Sequence, residues 1–209
     1  MYSQNHEDDL VLSYFGSSKK NVLEIGANDG ITLSNSRLFI QNGWSAHLIE
    51  PNAMVFNKLM SLYSENNEVI CYKLGIADSS GSKVFYESGS LLGSEDHSLV
   101  SSIDKKETDR WKGVVSFTES EAYFLTWQDF LAKYNLQNTD FNYISIDAEG
   151  YDWSILQQIN LSQHNCEVLC IEWNSIPVMD SLFQNYASQY GLYEIHRNAE
   201  NIIFARNKE

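Results

Sequence analysis

Residues 22–30 read Val22-Leu23-Glu24-Ile25-Gly26-Ala27-Asn28-Asp29-Gly30, an apolar run that turns through two glycines. A buried strand that enters a glycine turn ahead of a helix lets backbone approach a ligand at the strand's carboxyl end. The run is not the dinucleotide fingerprint: G-x-G-x-x-G needs a second glycine for the pyrophosphate to come close, and Asn28 holds that place. Asn28 and Asp29 offer polar side chains instead, and an acidic group there suits the cationic end of an amino-acid-like ligand. Twenty residues past Gly30, Glu50 ends a second apolar run just before Pro51. The two oxygens of a carboxylate match the vicinal hydroxyls of a ribose. The blander alternative is that Gly26 and Gly30 only make a tight turn and that Glu50 is a solvated strand end.

Outward from this stretch, short apolar runs alternate with helical periodicity, which argues for an α/β fold with a largely parallel sheet. Strands are expected at 21–25, 46–49, 68–74, 142–146 and 168–171. Helices are expected at 7–15, 34–43, 52–63 and 126–134, then after Asp152 as a cap, and from Pro177 to a stop at Gly191. Two closing strands, 192–196 and 202–206, joined through 198–201, place one antiparallel strand beside the parallel sheet. Residues 78–121 differ in character, being rich in serine and carrying a charged run at 104–110. Short strands are expected in it at 83–87 and 114–117. Too little apolar material lies there for a second core, so residues 1–209 read as one domain with an insertion or lid at 78–121.

Composition narrows the classes. Of 209 residues, 43% are hydrophobic, enough for a core and against disorder. The net charge of −14 repels phosphate backbones and anionic lipid heads, so nucleic-acid and membrane-surface partners are disfavoured. No apolar run approaches the roughly 18–20 residues of a membrane span, and the first residues are polar and acidic, unlike a signal peptide. Cys71, Cys166 and Cys170 show no CxxC spacing and read as buried or half-buried thiols; a metal site at Cys166, Cys170 and His164 is the weaker reading. The expectation is a reduced, cytoplasmic protein of unread oligomeric state. Its ligand should be small and neutral or cationic. S-adenosylmethionine, with a ribose, an α-amino group, a sulfonium and no phosphate, fits both the glycine turn and Glu50.

Several motifs stand in one order along the chain: Glu24-Ile25-Gly26-Ala27-Asn28-Asp29-Gly30, Gly43-Trp44, Ile49-Glu50-Pro51, Ile146-Asp147-Ala148-Glu149-Gly150 and Ile171-Glu172. Ser3-Gln4 with Glu7-Asp8 precedes them. Together they resemble the FkbM-type S-adenosylmethionine-dependent methyltransferases over nearly the whole chain. The resemblance implies a Rossmann-like class I methyltransferase fold with strand order 3-2-1-4-5-7-6, strand 7 antiparallel and helices on both faces. It also implies O-methylation of hydroxyls on sugars, glycans or related metabolites. It carries Glu24, Gly26, Asn28, Asp29, Gly30, Glu50 and Pro51 to the cofactor, with Ser34 and Asn35 at the next helix start as partners for the cofactor's carboxylate. The match is weakest across 78–121, where acceptor identity would be set.

Two neighbouring strands end in carboxylates, Asp147 and Glu149 on one and Glu172 with Asn174 on the other. In a parallel sheet such ends face one crevice. One reading makes a carboxylate the base for the acceptor hydroxyl, which requires its pKa to be raised by burial and like charges. Another makes Asp147, Glu172 and Asn174 hard oxygen ligands for Mg²⁺. That pattern is similar to the catechol-type O-methyltransferases, although Trp173 separates Glu172 from Asn174. A third leaves some of these carboxylates as helix caps. His97, in the serine-rich segment, is a candidate general base, and His6 a weaker one. Trp173 is the aromatic residue best placed to meet an acceptor. Competing functions are a non-catalytic nucleotide-binding module of a glycan-synthesis assembly, a methyltransferase acting on protein or nucleic acid, and an NAD-dependent oxidoreductase.

Overall fold

The computed structural model describes residues 2–93 and 96–208. In chain order the first half gives α1 (Glu7–Phe15), β1 (Asn21–Ile25), α2 (Arg37–Gln41), β2 (Ser45–Ile49), α3 (Ala53–Leu62) and β3 (Val69–Tyr72). The middle gives β4 (Gly75–Ile76), β5 (Gly81–Ser88), α4 (Lys105–Arg110) and β6 (Phe117–Leu125). The remainder is α5 (Trp127–Tyr134), β7 (Tyr143–Ile146), α6 (Asp152–Leu156), β8 (Val168–Glu172), α7 (Pro177–Gln189), β9 (Leu192–Arg197) and β10 (Asn201–Arg206).

Seven strands form the main sheet in the order β3-β2-β1-β7-β8-β10-β9. Counting only these seven, that is 3-2-1-4-5-7-6. The first five run parallel, and β10 is antiparallel to both β8 and β9. Alternation along the strands sends side chains to two cores. Val22, Leu48, Tyr143 and Ile203 meet α1, α2 and α3 through Val11, Phe39 and Leu59. Leu23, Ile144, Leu169 and Phe204 meet α5, α6 and α7 through Phe130, Ile155 and Phe183.

Register fixes where the site falls. Ile25 pairs with both Ile49 and Ile146, and Ile146 pairs with Ile171. The next residues on those four strands, Gly26, Glu50, Asp147 and Glu172, therefore stand in a row along one edge of the sheet.

Local chemistry explains the helix starts. Asn52 accepts from Met54 and Val55 N–H at 2.9 and 3.2 Å, and Thr126 accepts from Asp129 N–H at 3.1 Å. Pro177 takes the first position of α7, where a missing N–H costs nothing. The expected helix at 34–43 shortens to α2, because Ser34 Oγ accepts from Ser36 and Arg37 N–H and holds 34–36 as a turn ahead of it. Asp152 is not a cap. It is the first residue of α6, and its carboxylate reaches back to Ala148 and Gly150 N–H at 2.9 and 3.1 Å, pinning the loop after β7.

The segment 75–125 builds a second, three-stranded sheet in the order β4-β6-β5. The run expected as one strand at 68–74 leaves the main sheet after Tyr72 and enters this second one at Gly75. No strand forms at 114–116: Val114 and Val115 N–H bond back to Trp111 O, and pairing starts only at Phe117, opposite Ser88. A small cluster of Ala77, Phe85, Ala122 and Phe124 fills its inner face. No helix among the described residues is long and apolar enough to cross a membrane.

Candidate functional site

A cavity opens along the carboxyl edge of the main sheet, between it and the segment 75–125. Glu24, Gly26, Asn28, Ser34, Asn35, Glu50 and Pro51 line one end, and Asp147, Glu149, Glu172 and Asn174 line the other. Leu91, Leu92 and Ser98 to Ile103 roof it.

Glu50 is the best-defined acceptor. Its Oε2 takes the Asn28 N–H at 2.9 Å and its Oε1 the Asn52 N–H at 2.7 Å. Each oxygen keeps a lone-pair direction free, the arrangement a vicinal diol needs. Gly26 and Ala27 N–H both bond to Ile49 O at 3.0 Å, holding the glycine turn against the end of β2. Glu24 lies under the turn and accepts from Asn35 N–H at 2.8 Å and from the Ser34 and Ser36 hydroxyls. It is thus a brace for the turn before α2. Asn35 Oδ1 is buried with no partner and belongs to the cavity wall, which suits a donor such as an α-ammonium. The ribose acceptor and this amide oxygen together fit the chemistry of S-adenosylmethionine.

Other expected residues act elsewhere. Asp29 does not line the cavity; its carboxylate takes Ile31 and Thr32 N–H at 2.9 and 2.8 Å and the Thr32 hydroxyl at 3.0 Å, a local turn bond. The Asn28 side chain accepts from Asp29 N–H and donates to His97 O at 3.1 Å, so it ties the glycine turn to the roof. Gly30 packs under Leu59, Leu62 and Tyr63, outside the cavity. His97 contributes that carbonyl, while its ring is not in the cavity wall. His6 lies outside too, exposed beside Asp9. Trp173 turns to the β9–β10 hairpin, donating to Asn198 O at 2.9 Å beneath Arg197. The three cysteines are free, with Cys170 fully buried in β8 and Cys166 fully buried just ahead of it.

Gln4, Arg110, Trp111 and Tyr151 line the cavity without having been singled out for it. Ser3-Gln4 was visible as a motif, and the charged run at 104–110 as a composition change. Only tertiary placement brings them to the site. Glu7 explains Gln4: it accepts from Asn5 N–H, Asn198 Nδ2 and Asn201 Nδ2 at 2.7, 2.7 and 3.0 Å, clamping the N-terminal segment to the last hairpin.

The carboxylates titrate abnormally because they are buried together. Burial, with the charges of Glu24 and Asp29 added, lifts Glu50 to about 7 against the N–H bonds from Asn52 and Asn28. Burial and then Glu7 lift Asp147 to about 6. Glu149 and Glu172 are pushed well up, first by burial and then by neighbouring carboxylates. One consequence of the expected cofactor contact is measurable. An ionised Glu50 would accept both ribose hydroxyls better than a neutral one, so on that expectation affinity for S-adenosylhomocysteine should rise as pH passes upward through 7. A fall of up to about tenfold is expected between pH 8 and pH 6. Calorimetric titration at the two values tests this. A flat profile in the wild-type chain would remove Glu50 from the cofactor contact, and Glu50→Gln should flatten it.

Comparison with known proteins gives a family and a fold. Residues 24–191 match the profile of the methyltransferase FkbM domain. A Pyrococcus horikoshii protein described as an RNA methyltransferase superposes with TM-score 0.53 at 10% identity, over 96% of this chain and 82% of that one. The ribosomal protein L11 methylase of Lactobacillus delbrueckii subsp. bulgaricus superposes with TM-score 0.51 at 8% identity, over 96% and 78%. The methyltransferase domain of METTL16 superposes with TM-score 0.52 at 9% identity, over 97% and 66%. At such identities these structures share the fold. No curated protein matches the sequence.

Proposed function

This chain belongs to the FkbM methyltransferase domain family, and from that premise we propose that it methylates a hydroxyl of a sugar, glycan or related metabolite. The family makes S-adenosylmethionine the donor, whose sulfonium supplies an activated methyl group. One observation carries the reading: a single cavity joins Glu50, with a free acceptor direction on each oxygen, to the carboxylates Asp147, Glu149 and Glu172. A donor held at one end places its methyl toward the other.

Glu50 holds the ribose, and Asn35 Oδ1 with the turn before α2 holds the amino-acid end. The acceptor enters past Arg110 and Trp111 and lays its hydroxyl against Asp147 and Glu172. As the acceptor oxygen bonds to the methyl carbon, the carbon–sulfur bond breaks and its pair stays on sulfur. The hydroxyl proton passes to the Asp147 carboxylate, which at about 6 is raised enough to be a better base than a surface Asp and still ionised near neutral pH. Alignment and proton removal are the work left to the protein in such a displacement. The net charge of −14 disfavours nucleic acid as the acceptor.

The test is calorimetric titration with S-adenosylhomocysteine, followed by transfer of isotope-labelled methyl to a panel of sugars and glycans. Micromolar one-to-one binding and a labelled methyl ether are expected. Binding without transfer to any acceptor would favour a docking module, and no binding would sink the reading.

A further inference from the structure

The acceptor end of the cavity holds a cluster for which acid–base chemistry alone gives no account. One oxygen each from Asp147, Glu149 and Glu172 lies within 4.8 Å of the other two. Glu149 and Glu172 are only 8% and 9% exposed, yet Glu149 Oε2 and Glu172 Oε2 have no hydrogen-bond partner, and both residues face the cavity. The neighbouring Asp152 is already engaged by two N–H groups. Arg110 is the one Lys or Arg in the cavity wall among the described residues. Its guanidinium is held by Glu107 at 3.0 Å and lies over the Trp111 ring at 5.4 Å.

Buried carboxylate oxygens are ordinarily met by donors, since leaving them bare forfeits their hydration without return. Here three carboxylates bring oxygens within 4.8 Å of one another, two of the three residues carry a bare buried oxygen, and the nearby cation has partners of its own. We propose that Asp147, Glu149 and Glu172 bind a divalent cation of the hard, oxygen-preferring kind, the class of Mg²⁺, Mn²⁺ and Ca²⁺. Oxygens around such an ion at roughly 2.1–2.5 Å stand no more than about 5 Å apart, which matches the cluster. Three oxygen ligands leave positions open for water or an acceptor oxygen. Glu149 is added to the sequence expectation of Asp147, Glu172 and Asn174; Asn174 lines the same cavity and hydrogen-bonds Glu172.

Where the ion binds does not depend on the proposed function; what it does there rests on that reading. An acceptor hydroxyl that ligates the ion becomes more acidic, so that a carboxylate oxygen not bound to the metal suffices to take its proton.

The experiment is Mn²⁺ titration of the full chain at pH 8, followed by the loss of the free-ion paramagnetic resonance signal. One Mn²⁺ per chain is expected, with affinity weakened at least tenfold in Glu149→Gln and in Glu172→Gln. Both variants should bind S-adenosylhomocysteine within about twofold of wild type, which also reports that they fold. Thermal unfolding gives a readout without variants: MnCl₂ should raise the midpoint of the wild-type chain more than NaCl of equal ionic strength. No Mn²⁺ uptake, or uptake that both variants retain, overturns the site. Failure of the wild-type chain to bind S-adenosylhomocysteine would overturn the cofactor reading and leave the Mn²⁺ result standing.

Discussion

Replacing Glu50 with alanine should weaken binding of S-adenosylhomocysteine at least about a hundredfold and leave the chain folded. Two hydrogen bonds to a buried carboxylate are lost together, each worth about 1.5–3 kcal/mol. Even the lower sum corresponds to about two decades of affinity. Stability should move much less, because opposing effects meet at this position. Removing the side chain relieves a carboxylate whose charged form is disfavoured by burial. It also strands the Asn28 and Asn52 N–H groups, but these border a cavity that water can enter. The check is a pair of measurements on one preparation, calorimetric titration and thermal unfolding. Retained affinity would place the ribose elsewhere; lost affinity with a collapsed midpoint would make Glu50 a structural residue.

Gly26→Ala should show the opposite profile, with stability itself lost. Gly26 sits at φ +90°, and a Cβ built there would lie 1.8 Å from Asp147 O, a backbone atom that no side-chain rotation can move away. The turn cannot yield easily either. Gly26 N–H is bonded to Ile49 O and Asp147 N–H to Ile25 O, both at 3.0 Å, so relief means breaking the join between β1 and its two neighbours. Left-handed backbone strain alone costs about 1–2 kcal/mol in an alanine. With displaced strand ends the total should exceed about 3 kcal/mol, a fall in unfolding midpoint on the order of 10 °C for a chain of this size. Gly93→Ala is the control, since a Cβ there meets nothing within 4 Å and the backbone is not in the left-handed region. A Gly26→Ala chain as stable as the Gly93→Ala chain would mean that the two strand ends are not in the close contact described.

What the sequence made legible follows the range of the interactions involved. Strands buried on both faces appear as unbroken apolar runs, and Asn52, Thr126 and Pro177 mark helix starts by bonds only a few residues long. Glu50 could be singled out because it ends an apolar run just before Pro51, and the structure places it in the cavity wall. Asp29 lies outside the cavity for an equally local reason, whereas Asn28 stays in its wall. Short polar side chains in a turn bond their own backbone first, so their presence beside a glycine is no proof that they reach a ligand. Asp152 similarly turned from a cap into a loop brace. β6 was missed because its alternation is weak: of Phe117–Leu125 only Ala122, Phe124 and Leu125 are buried. Trp111 and Gln4 lay beyond local reasoning altogether, since contacts with distant segments bring them to the cavity.

The clamp on Glu7 also bears on how the molecule comes to be made. Its partners Asn198 and Asn201 lie 191 and 194 residues further along a chain of 209. Closing so long a loop carries an entropic cost before any contact rewards it, and such pairings slow folding. The wall that includes Gln4 therefore waits for the last hairpin. During synthesis the nascent chain can lay down β1, β2 and the glycine turn, but the cavity wall is not complete until the β9–β10 hairpin has been added.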